Sequence, residues 1–180
     1  GIKNCMLAGV DSIEHGTYLD EETADMMVKN GASLVLTLGV GNPDLTSYPL
    51  TPTQKADAER RKPMIEQGVV QIRKTIDLAR SKGILLGSGS DAGGNPLAPH
   101  RFSMARELEQ LVDNGIPEME ALTIVTGNNA KILLMDKDIG TVEAGKFADL
   151  LVIDADPLQN ISNVREISTV YKGGEVVHSN

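Results

Sequence analysis

The chain has 180 residues, of which 41% are hydrophobic and 23% charged, and its formal net charge at pH 7 is −8. This is the composition of an ordinary globular protein, and the acidic balance argues against nucleic acids and anionic membranes as partners. A single cysteine, Cys5, excludes an internal disulfide. Without an apolar run of membrane-spanning length or a signal-peptide pattern, we expect a cytoplasmic protein that does not contact a membrane.

The first half of the chain alternates between helix and strand patterns. Glycines follow the helical segments, and Asp20 has the position of an N-cap with acidic residues in the turn after it. The pattern predicts helices over residues 2–8, 20–30 and 64–82, alternating with short apolar strands over residues 10–14, 33–38 and 84–87. Strands separated by helices imply a parallel sheet with right-handed crossovers.

The segment from residue 39 to about residue 62 interrupts this alternation. It contains three prolines and mixed charge, and it is longer than an ordinary connection. A plain solvated loop is the favoured interpretation. The alternative is a lid over a site, with Tyr48 and Arg60 as specificity elements.

The second half of the chain has a different organisation. Helices are predicted over residues 99–114, 117–126 and 127–135, and short strands over residues 141–142, 149–153, 170–171 and 175–177. We place a domain boundary near residues 136–140. The strands that follow it are too few to hold a core alone, so we expect them to pair with strands from elsewhere.

Two side chains follow predicted strands and could bind a metal ion. His15 comes directly after the first strand, and Asp91 lies in a glycine-rich turn after the third. Imidazole and carboxylate are ligands of catalytic divalent metals, and the carboxyl ends of parallel strands lie at one edge. A catalytic zinc usually takes three protein ligands, so the sequence predicts part of a metal site.

Each candidate also has a plain structural interpretation. A lone histidine at a strand end is often merely exposed, and an aspartate such as Asp91 often serves turn geometry. His100, predicted at the start of a helix, could hydrogen-bond a substrate or a ligand carboxylate, or it could cap that helix. Residues 87–92 match a dinucleotide-binding fingerprint, but the glycines and prolines after them delay the helix that this motif requires. We reject that interpretation.

Four strings of residues together resemble a known enzyme family. They are Ile-Glu-His-Gly at 13–16, Gly-Ser-Asp-Ala-Gly at 89–93, Thr-Gly-Asn-Asn-Ala at 126–130, and the stretch from Ile-Gly-Thr-Val at 139–142 to Leu-Leu-Val-Ile at 150–153. The sequence resembles the metal-dependent amidohydrolase superfamily over essentially its whole length. The residues of these strings are most similar to those of the Xaa-Pro dipeptidase (prolidase)-like and imidazolonepropionase-related branch.

The resemblance implies a fold and a reaction. The fold is α/β: the carboxyl-terminal part of a (β/α)8 TIM barrel over residues 1–138, then part of a small β-sandwich over residues 139–180. The reaction is hydrolysis of an amide or other C–N bond, such as that of an Xaa-Pro dipeptide, by a metal-bound hydroxide. His15 would ligate one metal, Asp91 would ligate a second and act as general base, and His100 would contact the substrate. The resemblance favours Zn²⁺, with two ions in the parent enzyme.

The family's remaining ligands have no counterpart in this sequence. The first-strand His-x-His, the carboxylated lysine and the strand-five histidine would lie upstream, so we expect a longer parent enzyme and an inactive isolated fragment. One alternative is a non-catalytic scaffold or assembly homologue that has lost its metal chemistry. Another is a different C–N hydrolase, such as a deacetylase or cyclic-amide hydrolase. The expected partner is a small-molecule or dipeptide substrate, and the resemblance also allows a homo-oligomer.

Overall fold

The computed structural model describes residues 1–41, 50–93, 100 and 103–180, and within them helices and strands follow the alternating pattern. The helices are α1 (Ile2–Ala8), α2 (Glu21–Asn30), α3 (Leu38–Gly41), α4 (Pro52–Lys82), α5 (Ser103–Asp113), α6 (Glu118–Thr123) and α7 (Asn129–Ile132). A π-helical turn, Ile124–Asn128, joins α6 to α7, and a 3₁₀ helix spans Ile161–Arg165. The strands are β1 (Ser12–Glu14), β2 (Ser33–Leu36), β3 (Leu86–Ser88), β4 (Leu150–Ile153), β5 (Ile167–Lys172) and β6 (Glu175–Ser179). No helix in the described ranges is long and apolar enough to cross a membrane.

The first three strands form a parallel sheet in the order β1-β2-β3, which confirms the predicted α/β arrangement. Ser12 pairs with Ser33, and Leu34 pairs with Leu86. Helices α2 and α4 connect these strands, so all three carboxyl ends meet at one edge. The core is apolar and includes the fully buried side chains of Met27, Leu34, Leu36, Ile76, Leu111 and Ile124.

Helix α4 begins twelve residues earlier than predicted, at Pro52 instead of residue 64. Thr51 and Gln54 form a capping box at its start, where a proline is compatible with the first helical turn. Pro63 lies inside the helix without ending it. The predicted loop is therefore wrong for residues 52–62, and Arg60 lies on α4, paired with Asp57 at 2.6 Å. Tyr48, the other specificity candidate, lies outside the described residues.

The last three strands form an antiparallel sheet in the order β4-β5-β6. The predicted strand at residues 141–142 is wrong, because both residues are exposed and lie outside the sheet, directly after Gly140, which packs on the helices. A Cβ added at Gly140 would lie 2.5 Å from the Ala130 Cβ, which shows how closely the two backbones approach. The helices predicted at 117–126 and 127–135 also form one continuous run, since the π-helical turn carries the buried Gly127 without a break.

The 3₁₀ helix ties the antiparallel sheet to the helices. Arg165 donates two hydrogen bonds to the Glu109 carboxylate, at 2.8 and 3.0 Å, and Ser162 donates a third at 3.0 Å. Ile161 and Val164 are buried in the same core as the parallel sheet. The division at residue 138 stays a prediction.

Candidate functional site

Three polar side chains lie at the carboxyl edge of the parallel sheet. His15 directly follows β1, Thr37 directly follows β2, and Asp91 is the third residue after β3. His15 and Asp91 are both exposed. Neighbouring strands lie about 4.8 Å apart, so the strands that carry His15 and Asp91 are separated by about 10 Å. The structure thus places both predicted ligands at one edge, on either side of Thr37.

The His15 ring is held by Thr37. Its Nδ1 lies 2.6 Å from the Thr37 Oγ1, and its backbone N–H donates to the Val35 carbonyl at 2.9 Å. When Nδ1 donates its proton to the hydroxyl, Nε2 keeps the lone pair that a metal needs, and the ring orientation is fixed. Sequence reasoning missed Thr37, although a polar residue directly after a buried strand was the available signal.

Both candidate ligands have a left-handed backbone. His15 has φ 67° and Asp91 has φ 44°, and among the described non-glycine residues only Leu134 shares a positive φ. This conformation costs an L-residue roughly 1–2 kcal/mol, somewhat less for aspartate. Local strain of this kind clusters at functional sites, so it supports a role for both side chains.

A buried carboxyl group connects the ends of β2 and β3. The Glu107 side chain, on α5, is 0% exposed. It accepts hydrogen bonds from the backbone N–H of Leu38 at 2.8 Å, from that of Gly39 at 2.5 Å, and from the Ser88 hydroxyl at 3.0 Å. Sequence reasoning missed Glu107, whose only signal was a charge on the same face of the helix as the apolar Leu111.

Two consecutive asparagines cover the outer edge of β3. The Asn129 amide accepts from the Ser88 N–H at 3.0 Å and donates to the Ser88 carbonyl at 2.8 Å. The Asn128 amide donates to the Leu86 carbonyl at 3.0 Å. The side chains therefore satisfy backbone groups that a neighbouring strand would otherwise pair. The Thr-Gly-Asn-Asn-Ala string predicted the helices but not these contacts.

His100 lies next to the loop that carries Asp91. A Cβ added at Gly93 would lie 2.6 Å from the His100 Nε2, so the ring packs directly on this glycine. His100 is exposed. Its contact with a substrate stays a prediction. The structure places its ring against Gly93, which is two residues after Asp91.

The imidazole of His15 and the carboxylate of Asp91 are suitable ligands for a divalent metal, but two ligands are too few for a complete site. Within the residues that the structure describes, no group of three or more His, Cys, Asp or Glu side chains could hold a metal ion. His15 through Nε2 and Asp91 through its carboxylate would supply two ligands. A catalytic zinc takes three protein ligands, so these two residues account for part of a site.

The free energy of unfolding should depend on pH through Glu107. Burial raises the pKa of its carboxyl group from 4.5 to about 7, although three hydrogen bonds and the charge of Arg106 act in the opposite direction. The folded state therefore holds a proton that the unfolded state releases, so the contribution of Glu107 to stability is fully present below pH 4.5 and declines as the pH rises to about 7. The shift corresponds to a loss on the order of 3 kcal/mol. Urea unfolding at a series of pH values measures it.

Glu107→Gln is the control for this pH dependence, because it removes the titrating group and keeps the side-chain size. Subtracting its pH profile from that of the unmodified protein isolates the contribution of Glu107. A difference that stays constant from about pH 4 to pH 8 would contradict the prediction.

Comparison with known proteins gives one consistent group. A model described as the amidohydrolase family matches residues 1–177. A 5-methylthioadenosine/S-adenosylhomocysteine deaminase from Thermoanaerobacter pseudethanolicus is 29% identical over 126 residues, which cover 58% of this chain and 28% of the relative. An imidazolonepropionase from Legionella pneumophila is 32% identical over 146 residues, which cover 80% of this chain and 30% of the relative.

A solved structure shows that the similarity extends to the fold. The crystal structure of a Xaa-Pro dipeptidase with bound methionine in its active site superposes with a TM-score of 0.79 and 31% identity, covering 99% of this chain and 42% of that one. The chain thus spans about a third of the length of the curated relatives it matches. The likeness extends through both sheets, which confirms the predicted partial barrel followed by a sheet domain.

Proposed function

Because the chain belongs to the amidohydrolase family, we propose that it supplies part of the active site of a metal-dependent hydrolase that cleaves an amide or another C–N bond. The observation that carries this proposal is the placement of His15, Thr37 and Asp91 after three adjacent parallel strands. Catalytic residues of barrel enzymes come from this edge of the barrel.

The roles of the residues follow from their chemistry. His15 would hold a divalent metal through Nε2, while Thr37 fixes the ring through Nδ1. Asp91 would hold metal through one carboxylate oxygen, accept a proton from the attacking water, and then pass that proton to the leaving nitrogen. A bound metal, for which Zn²⁺ is the proposal, supplies polarisation of the carbonyl and a lowered pKa of water.

The proposed substrate is a dipeptide of the Xaa-Pro type. The solved Xaa-Pro dipeptidase supports this, since it is 31% identical and covers nearly the whole chain. The deaminase relative supports the wider class, because its name describes the removal of an amino group and therefore action on a carbon–nitrogen bond. His100, which packs on Gly93 beside the Asp91 loop, is the proposed substrate contact.

Zinc titration of the purified chain tests the metal site. We expect the unmodified chain to bind Zn²⁺ and the variants His15→Ala and Asp91→Asn each to weaken binding about tenfold or more. Asparagine is chosen at 91 because it tolerates a left-handed backbone. His178→Ala is the matched control, since His178 lies on β6, away from the parallel sheet, and should leave binding unchanged.

Two results would contradict the proposal. One is Zn²⁺ binding by the unmodified chain that neither His15→Ala nor Asp91→Asn weakens, which is what the alternative of a non-catalytic scaffold predicts. The other is binding that His178→Ala weakens and His15→Ala leaves intact, which would assign the metal to the exposed surface of the antiparallel sheet.

A further inference from the structure

We propose that Glu107 is a positioning residue that fixes the loops after β2 and β3 relative to each other, and thereby sets the separation between the His15–Thr37 pair and Asp91. The inference rests on the proposed function, because it treats His15 and Asp91 as members of one site. Glu107 itself would not contact the metal or the substrate.

The first half of the connection is on the β2 side. Leu38 and Gly39 directly follow Thr37, and both donate their backbone N–H groups to the Glu107 carboxyl, one to each oxygen. Gly39 allows this close approach, because a Cβ at that position would lie only 2.7 Å from the Glu107 Oε1. The carboxyl group therefore holds the backbone one residue beyond the hydroxyl that orients His15.

The second half of the connection is on the β3 side. The oxygen that accepts from Leu38 also accepts from the Ser88 hydroxyl, which is 3.0 Å away. The backbone of Ser88 is held in turn by the Asn129 amide. Ser88 ends β3, and Asp91 is three residues further along. The position where the Asp91 loop leaves the sheet is thus fixed from two sides.

Burial makes this connection rigid. Glu107 is 0% exposed and Ser88 is 2% exposed, so water does not replace these hydrogen bonds when they break. Three of the roughly four lone-pair positions of the carboxyl group are used, and a glutamine could satisfy the three donors only in part. An apolar side chain would fill the core equally well, but it could not accept the three hydrogen bonds that Glu107 receives from the two loops.

Backbone amide hydrogen exchange, measured by NMR on the whole chain, tests the proposal. In Glu107→Gln, we expect exchange at Leu38 and Gly39 to become about tenfold or more faster, and the resonances of residues 89–91 to shift. Leu111→Ala is the matched control: Leu111 is a fully buried residue on the same helix and does not contact either loop through a hydrogen bond. It should destabilise the protein without a selective effect on the two loops.

A second variant keeps the test decisive if Glu107→Gln does not fold. Ser88→Ala removes only the hydroxyl donor, so we expect the resonances of residues 89–91 to shift while exchange at Leu38 and Gly39 stays slow. If the two loops respond in these variants no more than in Leu111→Ala, Glu107 is an ordinary core residue and the proposal is wrong. Since the exchange measurement needs no metal, it tests the role of Glu107 whatever the Zn²⁺ titration shows, and the two proposals can fail separately.

Discussion

Replacing Asn129 with alanine is expected to lower the free energy of unfolding by about 3 kcal/mol. The substitution removes both hydrogen bonds to the Ser88 backbone, at 3.0 and 2.8 Å, and leaves the N–H and C=O of a 2% exposed residue without these partners. Buried backbone groups that lose their partners carry the full cost of desolvation. Urea unfolding followed by circular dichroism measures the loss.

Asn128→Ala is the matched control for Asn129→Ala. Asn128 donates one hydrogen bond to the same strand edge, at 3.0 Å to the Leu86 carbonyl. Its removal should cost about 1 kcal/mol, since only one acceptor is affected. Equal losses for the two variants would mean that the edge of β3 does not depend on the paired contacts of Asn129.

Replacing Gly140 with alanine should be comparably destabilising, by about 3 kcal/mol, for two reasons that add. Gly140 has φ 96°, which an L-residue rarely adopts. The added Cβ would also lie 2.5 Å from the Ala130 Cβ and 3.2 Å from the Thr126 carbonyl oxygen. Because these neighbours belong to a packed helix run, the segment after residue 139 would have to move away from it.

Gly145→Ala separates the two costs of the Gly140 substitution. Gly145 has almost the same φ, 95°, but an added Cβ there meets nothing within 4 Å. It should therefore show the backbone cost alone, roughly 1–2 kcal/mol. If both variants lose the same stability, the close approach of residue 140 to α7 contributes nothing and the prediction fails.

The sequence predicted the parallel sheet well because its signals are local. Apolar runs such as 33–38 mark buried strands, and glycines such as Gly31 and Gly83 end the helices in left-handed conformations. The start of α4 was wrong because Pro63 looks like a helix boundary, while the capping box at Thr51 lies within a segment rich in prolines and charges. The strand predicted at residues 141–142 was wrong because both side chains are exposed, and β-branched residues favour a strand only where they pack against neighbours.

The candidate site was predicted only in part, for a related reason. His15 and Asp91 are recognisable because each follows a strand in a short motif. Thr37, Glu107 and Asn129 act through partners that lie far away in sequence: Glu107 contacts Leu38 across 69 positions, and Asn129 contacts Ser88 across 41. Local patterns mark Thr37 as a polar residue after a strand and Glu107 as a charge on an apolar helix face. They do not predict these contacts, which form only once the sheet and the helices have packed together.

The left-handed backbone at His15 and Asp91 also has a consequence for protein engineering. Glycine adopts this conformation without strain, so His15→Gly removes the imidazole and relieves roughly 1 kcal/mol, while the more flexible unfolded chain offsets much of that gain. The candidate ligand can therefore be removed with little change in the free energy of unfolding. A core residue offers no such choice, because truncating it leaves a cavity.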